Sequence, residues 1–118
     1  MGKRDTMMER NRNARKLKQS DSMHRNCIRL HPQNTKEHEM KKVELCWELL
    51  QQGKEFITEA RFKKGDMRAD IYVLDNGDIY EIESSPQNLE ERKKHYPEGT
   101  EIIKLWEDTD DTGDGALL

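Results

Sequence analysis

The segment from Met67 to Ser84 constrains the fold of this chain more than any other, because two apolar runs, residues 71–74 and 79–82, flank Asn76-Gly77. Asn-Gly between such runs signals a hairpin with a two-residue type I′ turn, which needs positive φ at both central positions. With Asn76 and Gly77 central, Asp75 faces Asp78, Leu74 faces Ile79, Tyr72 faces Glu81 and Asp70 faces Glu83. The two-residue period of a strand then predicts Asp70, Tyr72, Glu81 and Glu83 on one face and Ile71, Val73, Tyr80 and Ile82 on the other. Three carboxylates aimed at one patch of two strands repel each other, so the pattern points to a bound cation. The bland reading of the same alternation is the wet face of an antiparallel sheet.

The remaining elements can be placed around this hairpin. Pro32 biases His31 away from helix, and Asn34 or Thr35 is a suitable N-cap, with Glu37 or His38 at the third position. Met40, Val43, Trp47 and Leu50 then recur at helical spacing with Cys46 beside them, predicting a core-facing stripe that stops near Gln52, with Gly53 as the C-cap. Residues 55–62 alternate, with Phe56, Thr58, Ala60 and Phe62 on one face and Ile57, Glu59 and Arg61 on the other, which predicts a strand. Lys63-Lys64-Gly65-Asp66 is a turn. Pro86 suits the first turn of a short charged helix over 88–95, Tyr96-Pro97-Glu98-Gly99 breaks it, and residues 100–106 form a last strand. The expected order is αβββαβ.

Charge is distributed unevenly. Residues 1–31 hold nine Lys/Arg against three Asp/Glu, a net of +6, so the remainder carries −9. A basic arm over 1–33, with a short helix at 6–18, suits a polyanion such as nucleic acid, although a solvated arm without a partner has the same composition. Residues 34–107 are expected to form the folded domain, and 108–118 an acidic solvated tail. Hydrophobic residues make up 32% of the chain, which limits the compact part to less than its full length. Cys27 and Cys46 are the only cysteines. Two lone thiols, with no segment like a signal peptide or a membrane span, fit a reducing cytoplasmic setting.

Helix, three-strand meander, helix and strand, with Asp70 opening the second strand and Glu81-Ile82-Glu83 on the third, resembles the PD-(D/E)XK nuclease superfamily over residues 35–106. The resemblance implies an α/β fold with a minimal restriction-endonuclease-like or archaeal Holliday-junction-resolvase-like core, a mixed sheet flanked by helices. It also implies a metal-dependent DNA endonuclease. Asp70, Glu81 and Glu83 take the catalytic positions, and Glu83 stands where the motif has lysine. Ala69 stands where proline often precedes the Asp. Asp70, Glu81 and the Ile82 carbonyl would hold Mg²⁺ or Mn²⁺, with an acid added from the first helix, Glu44 in preference to Glu37. Lys93 or Lys94 would supply a cation in place of the lysine. The alternative is a nuclease fold with a decayed site that acts as a nucleic-acid- or protein-binding module.

Lys63, Lys64 and Arg68, just before Asp70, are placed to touch phosphates, as are Lys93 and, on the arm, Arg12 and Arg15. A homodimer is expected, because cutting both strands is simplest with two sites. Tyr72 either packs or stacks on a base. Glu59 is a salt-bridge former, and Asp75 and Asp78 are turn formers. His24-x2-Cys27-x3-His31 lacks the paired thiolates of a structural zinc site.

Overall fold

The structure, a computed structural model, describes residues 2–106, so the expected acidic tail at 108–118 lies outside the described residues. Helices α1 (Lys3–Ala14), α2 (Gln19–Ser22) and α3 (Lys36–Gln51) precede strands β1 (Phe56–Arg61), β2 (Arg68–Val73) and β3 (Ile79–Glu83). Helix α4 (Leu89–Lys93) and strand β4 (Glu101–Lys104) complete the fold. The sheet order is β1-β2-β3-β4, with the first two pairings antiparallel and β3 parallel to β4. The parallel last strand follows from the α4 crossover, since a hairpin cannot join parallel strands. The chain is thus an α/β protein with a mixed sheet flanked by helices.

Thr35 caps α3 as expected: its side chain accepts the His38 amide. The buried face of that helix is another matter. Met40, Val43, Trp47 and Leu50, expected in the core, are exposed, Trp47 at 61%. His38, Lys42, Cys46 and Leu49 face inward instead. The inner face is polar because the sheet beneath presents carboxylates at two places, Glu59 to Lys42 and Asp70 to His38. Buried charge must be paired, and that requirement overrides the apolar stripe.

The hairpin turn also differs from the type I′ expectation. The Val73 amide donates to the Asp78 carbonyl and the Gly77 amide to the Val73 carbonyl, so residues 74–77 form a four-residue loop with only Gly77 at positive φ (+82°). Tertiary contacts fix this loop. Arg10 forks onto Asp75 at 3.0 and 3.1 Å, the Glu55 amide donates to Asp75, and Asn13 donates to the Leu74 carbonyl at 2.8 Å. Tyr72 therefore pairs with Ile79 and Ile71 with Tyr80. Every opposing partner moves by two residues, which sets Asp70 opposite Glu81 and not Glu83.

Residues 1–33, expected as a basic and flexible arm, are in part packed on the sheet: Asn13, Ala14, Leu17 and Asp21 are buried. Ala14 and Leu17 join Ile57, Ala60, Phe62, Tyr72 and Leu74 in the core on one side. On the other side Phe56, Ile71 and Val73 pack with Cys46 and Leu49. α1 has almost no amphipathic period; Arg10 and Asn13 hold it through polar contacts with the hairpin loop. Residues 26–29 cover the free edge of β1: Asn26 exchanges hydrogen bonds with Phe56, and Thr58 bonds to Cys27 and Arg29. Covering an edge strand removes an aggregation template. Tyr72 is 2% exposed, edge-on to Phe62 at 4.9 Å, and belongs to the core.

Candidate metal centre and cationic cleft

Two local irregularities shape the site. Glu59 adopts φ +51°, and the alternation expected for β1 breaks there: Phe56 lies on the α3 side, whereas Ala60 and Phe62 lie on the α1 side. A non-glycine residue in this region costs of order 1–3 kcal/mol and persists only where neighbours enforce it. Here the enforcing contact is Lys42, whose fully buried ammonium binds Glu59 at 2.9 Å, Glu39 at 3.1 Å and the Arg29 carbonyl at 2.9 Å. Glu59 is also 3.8 Å from Arg68, as its salt-bridge reading expected.

The second irregularity lies between β2 and β3. Backbone pairing runs only through Tyr72–Ile79 and Ile71–Tyr80. Beyond it side chains take over: the Asp70 amide donates to Glu81 Oε2 at 3.1 Å, and the Ile82 amide donates to Asp70 Oδ2 at 2.8 Å. Asp70 and Glu81 thus bridge two diverging strands, and both are more than nine-tenths buried. Asp70 Oδ1 and Glu81 Oε1 take part in no hydrogen bond with any described residue.

His38 reaches the pair from α3, with Nε2 3.2 Å from Asp70 Oδ2 and Nδ1 2.7 Å from Glu39 Oε1. The Asp70 bond raises the imidazole to about 9 against the opposing effect of burial, with Glu39 adding to the rise, so His38 is charged at neutral pH. Burial works to raise the Glu39 carboxyl, but the His31 amide, His38, Lys42 and Asn34 outweigh it and hold it at about 2. Glu81 moves the opposite way, to about 8, through burial first and then the charges of Asp70 and Glu83. A chain of alternating charge therefore runs Asp70, His38, Glu39, Lys42, Glu59.

Glu83 is used differently. It pairs with Arg92 of α4 at 2.8 Å and accepts the Tyr96 hydroxyl. The cation expected from Lys93 or Lys94 comes from Arg92, while those two lysines pair with Glu90 and Glu91. Glu44 does not join the site: it is exposed and bonded to Lys41 at 2.8 Å, and Glu37 is exposed as well. Helix α3 contributes His38 instead, because its face that meets the sheet is not the face marked by apolar residues. Ile82, expected to offer its carbonyl, meets Asp70 through its amide. No three His, Cys, Asp or Glu side chains among the described residues form a metal-holding group.

Beside Glu81 lies a cleft of about 520 Å³ lined by Lys18, Arg61, Arg68, Met67, His95 and Tyr96, among others. Lys63 and Arg15 line a neighbouring groove, and Lys64 is exposed in the same turn. Of the residues expected to touch nucleic acid, Lys63, Lys64, Arg68 and Arg15 thus gather at one end of the sheet. Arg12 and Lys93 are paired locally with Glu9 and Glu90. Lys18, Arg61 and His95 carry no sequence signal that sets them apart from other surface charges. His38 was visible as a residue near the N-cap and at i, i+4 spacing from Lys42, but only the tertiary fold assigns it to Asp70.

No family model, no curated protein and no solved structure matches this chain. No described helix is long and apolar enough to cross a membrane.

Proposed function

We propose that this protein is a metal-dependent DNA endonuclease of PD-(D/E)XK type, hydrolysing phosphodiester bonds with Asp70 and Glu81 as the ligands of Mg²⁺ or Mn²⁺. The observation that carries the reading is the buried Asp70–Glu81 pair on adjacent strands. Each carboxyl is anchored through one oxygen, each leaves the other oxygen without a hydrogen-bond partner among the described residues, and a cleft lined by Lys18, Arg61 and Arg68 lies alongside. Mg²⁺ prefers oxygen ligands, keeps several waters and needs only one or two carboxylates, so this donor set fits it. When bound, the cation supplies an activated water and charge stabilisation on the phosphoryl oxygens. The chain's own residues do the rest. His38 and the Ile82 amide hold Asp70 in place, Arg92 and Tyr96 fix Glu83 where the motif has lysine, and Arg61, Arg68 and Lys18 receive the phosphates.

One observation favours a second reading, a metal-free binding module: the charged His38 already neutralises Asp70. The nuclease reading takes DNA as partner, the module reading a nucleic acid or a protein, and the free thiols of Cys27 and Cys46 suit the cytoplasm. The exposed Met40-Val43-Trp47-Leu50 stripe has the 3-4-3 spacing of a two-helix seam, and supports a homodimer paired through α3. The test is cutting of plasmid, branched and single-stranded DNA in Mg²⁺ or Mn²⁺ by wild type, Asp70→Asn and Glu81→Gln. Cutting by wild type that is lost in both variants, with DNA binding retained, supports the nuclease. Binding without cutting in all three supports the module.

A further inference from the structure

The cleft beside Glu81 also bears on the form of nucleic acid that reaches the site, an inference that rests on the hydrolytic reading above. Three cations from separate segments line it, Lys18 after α1, Arg61 ending β1 and Arg68 opening β2, against one rim carboxylate, Asp66. Its interior is partly apolar, with Phe62, Met67 and Tyr96 on the wall. Lys18 is exposed and its side chain has no partner among the described residues, while Arg61 and Arg68 keep half of their surface open despite ion pairs to Asp21 and Glu59. Glu81 is only 8% exposed and lines this same cleft.

A duplex carries its phosphates on a convex surface with the bases paired inside, and binding it calls for a broad cationic face with no apolar interior. A cleft of about 520 Å³ is on the scale of a small-ligand pocket. Cations that track a backbone around apolar and aromatic surface are the combination that single strands use, with charge for the phosphates and contact surface for unpaired bases. To bring a phosphodiester to recessed Glu81, the strand must enter the cleft, and a paired base cannot follow it in.

We infer that the cleft takes single-stranded DNA, one unpaired nucleotide lying against Met67 and Tyr96 with its phosphates at Lys18, Arg61 and Arg68. The substrates of this site are then single strands, flaps and frayed ends, not continuous duplex.

The test separates binding from hydrolysis. Fluorescence anisotropy in EDTA, where no cutting occurs, compares labelled oligothymidine with a duplex of equal length, for wild type, Lys18→Glu and Met67→Asp. Thermal melts check that both variants fold; Lys18→Glu, at an exposed position whose side chain has no partner among the described residues, is the safe one. The expected result is at least about tenfold tighter binding of the single strand, with that preference reduced by Lys18→Glu. Equal binding, tighter duplex binding, no binding of either, or a preference that Lys18→Glu leaves intact overturns the inference. A parallel incubation with Mn²⁺ reads hydrolysis separately. A single-strand preference without cutting removes the nuclease and keeps the cleft, whereas cutting of duplex and single strand at equal rates removes the cleft's selectivity and keeps the nuclease.

Discussion

Replacing Lys42 by Met removes the ammonium that holds the strained Glu59 and leaves most other contacts of the side chain in place. Lys42 is 0% exposed, and its three hydrogen bonds, at 2.9, 3.1 and 2.9 Å, reach Glu59, Glu39 and the Arg29 carbonyl. Both carboxylates are 12% exposed, so water cannot fully replace the lost partner. Removing one member of a buried charged cluster costs about 3–5 kcal/mol, because the partner charge is left uncompensated. The backbone of Glu59, at φ +51°, adds to this: among the described residues its carboxylate keeps only Arg68 at 3.8 Å, and Arg29, on its carbonyl at 3.0 Å, is left to hold the conformation. A loss of about 3–5 kcal/mol corresponds to a melting temperature lower by roughly 10–20 °C for a domain of this size. Urea denaturation followed by far-UV circular dichroism measures it. The double variant Lys42→Met, Glu59→Gln should recover part of the loss, because it removes the orphaned charge as well. A single-variant cost below about 1 kcal/mol, within the range of an exposed ion pair, or no recovery in the double variant, would mean that Lys42 does not hold Glu59 in its strained conformation.

Two further perturbations follow from the same contacts. The Glu39 carboxyl, ordinarily near 4.5, lies at about 2 in the folded protein, so its contribution of about 3 kcal/mol is present above pH 4.5 and disappears as pH falls toward 2. Glu39→Gln should therefore be less stable than wild type at pH 7, with a gap that closes on acidification; a gap independent of pH between 7 and 2 contradicts this. Arg10→Ala removes the fork onto Asp75 and the bonds to Glu55 and the Gly53 carbonyl, and should lower stability by about 1–3 kcal/mol. Amide exchange over residues 3–14 should accelerate with it, and unchanged protection of α1 would show that Arg10 does not tether the helix.

The parts of the fold that carry local signals are legible in the sequence. Thr35 before a helical run, the two apolar runs around Asn76-Gly77, and the break at Pro97 and Gly99 fix the α3, β2, β3 and β4 elements, and their order gives the mixed sheet. Features decided by distant partners are not legible. The turn at residues 74–77 takes four residues because Arg10 and Asn13, more than sixty residues upstream, bind Asp75 and Leu74. The apolar stripe of α3 points outward because His38 and Lys42 must meet Asp70 and Glu59, and no periodicity in the sequence marks those pairings. Of the candidate site, Asp70 and Glu81 could be read from strand position alone. Replacement of Glu44 by His38, and of Lys93 by Arg92, depends on which side of each helix the sheet selects.

Whether Asp70 and Glu81 jointly hold a divalent cation is tested without requiring turnover by Mn²⁺ titration followed by electron paramagnetic resonance. The expected result is a single site on wild-type protein that is lost or weakened at least about tenfold by Asp70→Asn and by Glu81→Gln. Absence of a site on the folded wild type, or a site that both substitutions leave unchanged, would leave the carboxylate pair as a clamp between β2 and β3 and no metal centre.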